Sequence, residues 1–259
     1  MAVFFFFQTM KHREPAICVR TSDYSETSQV VCFLTRGAGL VRLLAKGSKR
    51  PKSKSGGAMD LLSEGELIYI PARAGLGTLV ELSETVSHTP LRSDSARLNT
   101  ALYMVELAGE MLAESDPHPE VFDLLHNSLL RLADADAPLG AVLAYFQWRL
   151  LKRVGLLGDL RQCVACGRAV SGSGGGDLYF SSIQGGILCG DCEGAAAEKY
   201  RLDGLTLAGL AALAAAEAGA KVALPDKQAL AANRLLTYHA GGQLGKPLKM
   251  ARYAIPKDK

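Results

Sequence analysis

The chain has 259 residues, 48% of them hydrophobic, and a formal net charge of +3 at pH 7. This length exceeds one average domain, and the apolar content is ample for a buried core, so we expect two domains. Four consecutive phenylalanines lie within residues 1–10, but this run is too short to span a bilayer and lacks the features of a signal peptide. We therefore expect a cytoplasmic protein. The first residues are either an extra strand or precede a true start at Met10.

Charge is segregated along the chain. Residues 1–80 carry a net charge of +5, residues 81–160 carry −6, and residues 161–259 carry +4. A basic run without acidic residues contains Arg36, Arg42, Lys46, Lys49, Arg50, Lys52 and Lys54. Such a run is typical of a surface that binds a phosphate backbone, although a solvated, mobile loop has the same composition.

Short apolar or β-branched runs before residue 88 predict five strands. They cover residues 16–20, 29–34, 40–45, 66–72 and 77–86. Turn signals at Ser22/Asp23 and at Gly37/Gly39 separate the first three runs. Five strands in roughly 75 residues predict a small β-barrel, and the OB-fold has this strand count. Its loops and open face commonly hold nucleic acid.

After Pro90 the apolar residues follow a helical period. The predicted helices cover residues 96–114, 119–132, 138–154, 206–218 and 226–240. Trp148, Phe146 and Tyr145 on the third helix are expected in the core. The fold class is therefore α+β, with an OB-fold domain over residues 1–88 and a helical domain over residues 89–259. The helical domain carries a zinc ribbon at about 160–195.

Two pairs of cysteines predict that ribbon. Cys163 and Cys166, like Cys189 and Cys192, have two residues between them, and 22 residues separate the pairs. A tight turn of this length lets both thiolates of a pair reach one tetrahedral ion at about 2.3 Å. Four thiolates complete the shell, so we interpret the ion as one structural Zn²⁺. Disulfides and redox thiols are the alternatives.

The segment between the two pairs predicts a hairpin. It contains the glycine-rich run 171–176, followed by the apolar residues 178–180 and the segment 185–187. The two remaining cysteines, Cys18 and Cys32, lie in apolar stretches and are expected to be buried side chains.

Enzyme motifs are absent from the sequence. There is no phosphate-binding loop, and Gly75 and Gly77 lack the third glycine of a dinucleotide fingerprint. The five histidines are scattered, without the spacing of a metalloprotease or a zinc deaminase. The carboxylate pairs Asp134/Asp136 and Glu81/Glu84 have no partner histidine. We therefore expect that the protein is not an enzyme.

Three stretches resemble one known family. Residues 22–35, together with Gly39, Val41 and the run Ala45–Arg50, resemble the amino-terminal motif of the bacterial recombination mediator RecO family. Residues 235–239 and the run Lys246–Arg252 resemble its closing motif, and the ribbon is similar to that of its zinc-bearing members. The chain departs from the closing motif at Ala251, where a serine is usual, and in its short tail.

The resemblance implies a non-enzymatic DNA repair and recombination protein that is cytoplasmic and nucleoid-associated. Such proteins bind single- and double-stranded DNA and anneal complementary strands. With RecR they help to load RecA onto strands coated by single-stranded-DNA-binding protein (SSB). The DNA-binding positions carried over are Arg42, Lys46, Lys49, Arg50, Lys246, Lys249 and Arg252. The last three would form a second basic patch near the barrel.

Two further contacts follow from this reasoning. The SSB tail is acidic and ends in hydrophobic residues, so it needs an apolar groove edged by cations. The third helix offers Arg149, Lys152 and Arg153 beside Leu150, Leu151 and Trp148. Tyr24 and Tyr69 are candidates for stacking on bases, with burial in the core as the alternative.

Two other classes of protein remain open. A zinc-ribbon interaction protein of transcription or translation would share the four cysteines but has no reason to carry the motif over residues 24–50. A zinc-dependent nuclease or deaminase would need an open metal position and a general base beside it.

Overall fold

The computed structural model describes residues 10–50, 53, 57–170, 177–217, 219 and 221–256. The chain forms two compact units, one of Met1–Thr89 with Leu112–Asp123 and one of Pro90–Met111 with Leu124–Lys259. The four phenylalanines, Lys52, Lys54 and the glycine-rich run 171–176 lie outside the described residues.

The first unit contains a closed five-stranded barrel. Its strands are β1 (His12–Ser25), β2 (Ser28–Thr35), β3 (Gly39–Ala45), β4 (Glu64–Ile70) and β5 (Gly77–Val86). Their order around the barrel is β1-β2-β3-β5-β4. All neighbours are antiparallel except β3 and β5, which are parallel. This Greek-key barrel is the arrangement of an OB-fold, so the predicted barrel is confirmed.

The barrel interior is filled by alternate residues of each strand, because successive side chains of a strand point to opposite faces. The buried cluster consists of Ala16, Cys18, Val31, Phe33, Leu43, Ala45, Met59, Leu67, Tyr69, Leu79 and Leu82. Cys18 and Cys32 are both buried, as predicted. Tyr69, one of the two tyrosines considered for base stacking, therefore belongs to the core.

The first strand is longer than predicted, and the expected turn at Ser22/Asp23 is wrong. The chain turns at Glu26 and Thr27 instead, and Ser25 pairs with Ser28 across the hairpin. Ser22 and Asp23 are exposed, so their polar side chains are tolerated within a strand whose ladder overrides local turn preference. β4 ends at Ile70 rather than at residue 72, because Pro71 has no N–H to donate.

The second unit is mainly helical. The helices of the chain are α1 (Ser95–Met111), α2 (Pro119–Leu132), α3 (Leu139–Arg153), α4 (Gly204–Ala215), α5 (Asp226–Leu244) and the short α6 (Ala251–Ala254). Each of the five predicted helices is present, with ends that differ by a few residues. α5 packs against α3 and α4, and α1 packs against α3 and α6. None of the helices in the described part of the chain is long and apolar enough to cross a membrane.

A buried polar network links α1, α3 and α5. The Tyr103 hydroxyl donates to Gln147 Oε1 at 2.9 Å, and Gln147 Nε2 donates to Asn233 Oδ1 at 2.8 Å. Burial raises the pKa of Tyr103, so this hydroxyl stays protonated and available as a donor. Trp148, Phe146 and Tyr145 are buried in the same unit, as predicted.

The ribbon is a small sheet in this unit. It consists of β6 (Leu178–Ser181), β7 (Gly186–Cys189) and β8 (Tyr200–Leu202), in the order β7-β6-β8. The predicted hairpin of β6 and β7 is confirmed. The sequence did not predict β8, because a three-residue strand is too short to show a period.

Gly39, at the start of β3, lets the backbone of Asp116 pack closely against it, and a substitution can test this contact. Its φ is +73°, and an added Cβ would lie 2.2 Å from the carbonyl oxygen of Asp116. Gly75 has a similar φ of +79° but open space around it. We expect Gly75→Ala to destabilise the barrel by about 1 kcal/mol through backbone strain, and Gly39→Ala to cost roughly 1–3 kcal/mol more through the collision.

Native-state hydrogen exchange of the barrel amides measures this difference directly. The single tryptophan lies in the helical unit, so its fluorescence does not report on the barrel. Equal losses in the two variants would show that the segment around Asp116 moves aside without cost.

Candidate nucleic-acid interface and metal centre

The residues that follow β3 form a compact turn, called here the basic loop (Lys46–Arg50). Its first turn is closed by a hydrogen bond from the Arg50 N–H to the Gly47 carbonyl at 3.1 Å. Lys46, Lys49 and Arg50 are exposed residues, whereas Ser48 is buried. The three predicted DNA-binding residues therefore lie together on one short surface turn.

Buried polar side chains of β2 hold the basic loop in place. Ser28 Oγ accepts a hydrogen bond from the Gly47 N–H at 3.0 Å, and the Ser48 hydroxyl donates to Gln29 Oε1 at 3.0 Å. Gln29 also bonds both the N–H and the carbonyl of Met59, at 2.9 and 3.2 Å. Because these buried groups are satisfied, they fix one loop conformation. The alternative of a mobile loop does not fit residues 46–50.

Sequence reasoning missed Ser28, Gln29 and Ser48. The sequence did contain a sign of their role, because the polar residues Ser28 and Gln29 begin a strand whose following residues are almost all apolar. A buried side-chain amide needs partners, so such a position predicts a hydrogen-bonding role.

Several cations of the basic run have acidic partners from distant parts of the first unit. Lys49 pairs with Asp23 on β1. Arg42 Nη1 lies 3.2 Å from Glu114 Oε1, and Arg36 makes two hydrogen bonds to Asp123 at 2.9 and 3.0 Å. Exposed pairs of this kind contribute only about 0–1 kcal/mol, so a phosphate can compete for the cation.

Lys46 and Arg50 differ from these residues. Neither side chain has an acidic partner among the residues that the structure describes. Their charge is therefore not offset by a neighbouring carboxylate in the described part of the chain.

The closing segment, residues 246–252, lies in the second unit. Glu106 organises it by accepting hydrogen bonds from the N–H groups of Lys249 and Met250, both at 2.8 Å. Lys246 Nζ lies 2.6 Å from Glu110 Oε2, and the Arg252 guanidinium lies 4.7 Å from the centre of the Tyr253 ring. Lys249 and Arg252 are exposed.

The four predicted metal ligands come together in the ribbon. Their sulfur atoms all lie within 4.8 Å of one another, and the Sγ atoms of Cys166 and Cys189 are 3.9 Å apart. A tetrahedral ion with bonds of about 2.3 Å needs sulfur–sulfur edges of about 3.8 Å. The cluster therefore fits a single metal ion, and a sulfur–sulfur distance of 3.9 Å does not fit a disulfide.

Backbone hydrogen bonds shape both knuckles. The Gly167 N–H donates to the Cys163 carbonyl at 2.8 Å, and the Cys192 N–H donates to the Cys189 carbonyl at 3.0 Å. These turns aim the two sulfurs of each pair at a common centre. The Cys189 N–H also donates to Cys163 Sγ at 3.5 Å, which joins the two knuckles.

The protonation of the thiols reflects their crowding. Burial raises the pKa of the Cys163 thiol, but N–H donors from Cys189, Cys166 and Ala165 outweigh it and lower the pKa to about 6. Hydrogen bonds with the sulfurs of Cys189 and Cys166 raise the pKa of Cys192 to about 12. Four sulfurs at this distance need a cation to be thiolates together.

Comparison with known proteins finds one family model for the barrel region and one for the helical region. Residues 10–86 match the family model described as Recombination protein O N terminal, and residues 92–252 match Recombination protein O C terminal. This chain belongs to the RecO family. The resemblance drawn from the amino-terminal motif, the closing motif and the ribbon is thus confirmed, and it places the chain among DNA repair and recombination proteins.

Individual relatives are similar over most of the chain. The DNA repair protein RecO of Anaeromyxobacter dehalogenans (strain 2CP-C) is 32% identical over 240 residues, which cover 88% of this chain and 91% of the relative. The DNA repair protein RecO of Myxococcus xanthus (strain DK1622) is 29% identical over 239 residues, 92% and 95% of the two chains. That of Bacillus pumilus (strain SAFR-032) is 32% identical over 181 residues, 70% and 68%.

The residues of the RecO closing motif on α5 attach the ribbon to the helices. Tyr238 donates its hydroxyl hydrogen to Glu198, which also accepts from Ser181 Oγ at 3.0 Å. His239 Nε2 bonds the Leu156 carbonyl at 2.8 Å, and its Nδ1 lies 3.2 Å from Ser182 Oγ. The turn between β6 and β7 is therefore fixed to α5 by buried polar contacts.

The groove predicted for the SSB tail on α3 needs correction. Leu150 and Leu151 are fully buried and Trp148 is 3% exposed, because they form part of the helical core. Arg149 lies over the Tyr145 ring, and Lys152 donates to the Gly158 carbonyl at 2.6 Å. The apolar half of that groove is absent from the surface of α3.

His239 gives the helical unit a predictable pH dependence. Burial lowers the pKa of His239, although its bond to the Leu156 carbonyl and the nearby Glu198 partly offset this effect. The unfolded chain therefore takes up a proton below about pH 6.5 that the folded chain resists. The free energy of unfolding should fall as pH decreases from 7 to 5. In His239→Gln the slope should be smaller by up to about 1.4 kcal/mol per pH unit.

Urea denaturation followed by Trp148 fluorescence measures the slope in the unit that contains His239. Equal slopes in wild type and His239→Gln would mean that another group titrates.

Proposed function

We propose that this RecO-family protein is a recombination mediator that binds single- and double-stranded DNA and anneals complementary strands. With RecR it helps to load RecA onto single-stranded DNA coated by SSB. The observation that carries the proposal is the pair of exposed, locally uncompensated cations, Lys46 and Arg50, on a hydrogen-bonded loop of an OB-fold barrel. Loops of this fold commonly bind nucleic acid.

The chemistry of the loop suits binding without base specificity. Lysine and arginine neutralise phosphates whatever the sequence, and each contact releases counterions. Binding should therefore weaken with salt, by roughly 0.7 log units per log unit of salt for each phosphate neutralised on a single strand. Such contacts let two strands search for their pairing register, whereas base-specific contacts would hold them at fixed sites.

In this proposal, Lys49 and Arg42 bind phosphate only after releasing their carboxylate partners. Each is bound to an exposed carboxylate in the free protein, and a phosphate can exchange with that carboxylate at little cost. Lys246, Lys249 and Arg252 supply a second set of phosphate contacts in the closing segment. The protein acts by binding rather than by catalysis, in the cytoplasm and on the nucleoid.

The four-cysteine cluster is proposed to hold one structural Zn²⁺. A complete shell of four thiolates leaves no position for a water or a substrate. The ion would stabilise the ribbon, which α5 then holds through Tyr238 and His239.

Charge reversal at the basic loop tests DNA binding. In Lys46→Glu/Arg50→Glu we expect affinity for single strands and for duplex to fall by about tenfold or more at low salt. The single-strand salt slope should decrease by up to about 1.4, because two phosphate contacts are lost. Fluorescence anisotropy with labelled oligonucleotides over a salt series measures both quantities.

Lys221→Glu/Lys227→Glu is the matched control, since it changes net charge equally at exposed lysines of the helical unit. Lys49 is left unchanged because its reversal would set two carboxylates against each other at Asp23. An equal loss of affinity in both double variants would show a general charge effect, and no loss in either would reject the loop as the DNA site.

Annealing of complementary strands coated with SSB tests the mediator role. Wild type should accelerate annealing, with an effect that fades as salt rises, and Lys46→Glu/Arg50→Glu should not accelerate it. The RecA step is followed by adding RecR and measuring RecA assembly on the coated strand. DNA binding without acceleration at any salt would favour an adaptor role for the ribbon.

Metal analysis tests the cluster. The purified protein should contain about one zinc per chain, and Cys163→Ser should lose the metal and destabilise the helical unit by several kcal/mol, as for other structural sites. Elemental analysis and urea denaturation followed by Trp148 fluorescence measure the two effects. Cys32→Ala, a buried cysteine outside the cluster, should keep its zinc. A zinc-free, fully stable wild type would contradict the proposal.

A further inference from the structure

Tyr24 occupies an irregular position at the end of β1. Asp23 pairs with Gln29 and Ser25 pairs with Ser28, so Tyr24 is one extra residue without a partner on β2. Such a β-bulge breaks the alternation of a strand and redirects the bulged side chain, and bulges often lie beside functional sites.

The ring of Tyr24 is open to solvent. Its exposure is 64%, whereas Tyr69, the other tyrosine considered for stacking, is only 3% exposed. Tyr253 is also exposed, but the Arg252 guanidinium lies over its ring. Tyr24 has no such contact among the described residues. A ligand that covers such a ring removes apolar surface from water, which favours binding.

The bulge lies directly beside the basic loop. The two residues opposite it, Ser28 and Gln29, are those that hold Gly47 and Ser48. The hairpin turn also touches the loop, because the Lys49 N–H donates to the Thr27 carbonyl at 3.1 Å and Lys49 pairs with Asp23. The hairpin of β1 and β2 therefore contacts the basic loop and carries the bulge at Tyr24 next to it in sequence.

We propose that Tyr24 is a stacking platform for an unpaired base of the DNA strand whose phosphates bind the basic loop. This inference rests on the proposed function and adds a contact that distinguishes single-stranded DNA from duplex. Stacking requires a base with a free face, and in a duplex both faces are covered by neighbouring base pairs. The loop cations act on either form, whereas Tyr24 acts on single strands.

Stacking also suits strand annealing. An aromatic ring contacts the face of a base and leaves its hydrogen-bonding edge free to pair. Every base has such a face, so the contact tolerates any sequence. The strand is held at its phosphates and at one base while the pairing edges remain accessible to a complementary strand.

The test compares three probes of one length: a thymidine oligonucleotide, an abasic oligonucleotide with the same phosphates, and a duplex. Tyr24→Ala should weaken binding of the thymidine strand by about fivefold or more, since one stacked base contributes at least that factor. Binding of the abasic strand and the duplex should change by less than about twofold. Tyr24→Phe keeps the ring and should bind all three probes like wild type.

The outcomes separate this inference from the proposed function. If Lys46→Glu/Arg50→Glu weakens all three probes and Tyr24→Ala changes none, the stacking role is wrong and the DNA-binding loop stands. An equal loss of all three probes in Tyr24→Ala would show that the bulge merely shapes the loop, which also overturns the stacking role. If the charge reversal itself has no effect, the proposed site fails.

Discussion

The barrel depends on one short parallel contact. β3 and β5 pair only through Leu43 with Gly77 and Leu44 with Thr78, and this contact closes the sheet on itself. Gly77 makes the approach feasible, because a Cβ there would lie 2.8 Å from both the Ile70 carbonyl oxygen and Leu43 Cδ2. The glycine that fails as part of a dinucleotide fingerprint therefore has a packing role. Closure fixes the end of β3, where the basic loop begins.

The basic loop combines buried hydrogen-bonded supports with exposed positive charge. Gln29 and Ser28 are buried and hydrogen-bonded, so removing a partner would leave a desolvated polar group. The cations above them make at most exposed ion pairs, which are weak. This division lets the loop keep its shape while its charges exchange partners, as reversible binding to a phosphate backbone requires.

Much of the fold could be predicted from local patterns. Short apolar and β-branched runs located the barrel strands, helical spacing located the five longer helices, and cysteine spacing located the four-cysteine cluster. The failures involve long-range contacts. Ser22/Asp23 has turn residues, but pairing with β2 extends the strand and places the bulge at Tyr24. The basic run has no acidic residue of its own, yet the fold brings Asp123 and Glu114 to it.

The expected groove on α3 failed for a related reason. An apolar residue beside a cation in sequence can point to the opposite side of a helix, and the large side chains of α3 pack inward. Residues that are adjacent in sequence do not necessarily lie on the same surface, and a binding groove is formed by residues that are adjacent in space. Gln29 shows the converse, because its polarity at the start of an apolar strand could have indicated a hydrogen-bonding role but not the loop that supplies the partner.

The four-cysteine cluster and the closing segment are connected through α5. The ribbon turn is held by His239 and Tyr238, and five residues after His239 the helix ends at Leu244 and is capped by Gly245. The Lys246 N–H then donates to the Gly241 carbonyl, and Glu106 fixes the following turn. In the proposed metal-bound form, the folding free energy that the ion supplies to the ribbon would also favour the register of α5 on its neighbours. The ion would thus order the basic closing segment without contacting DNA.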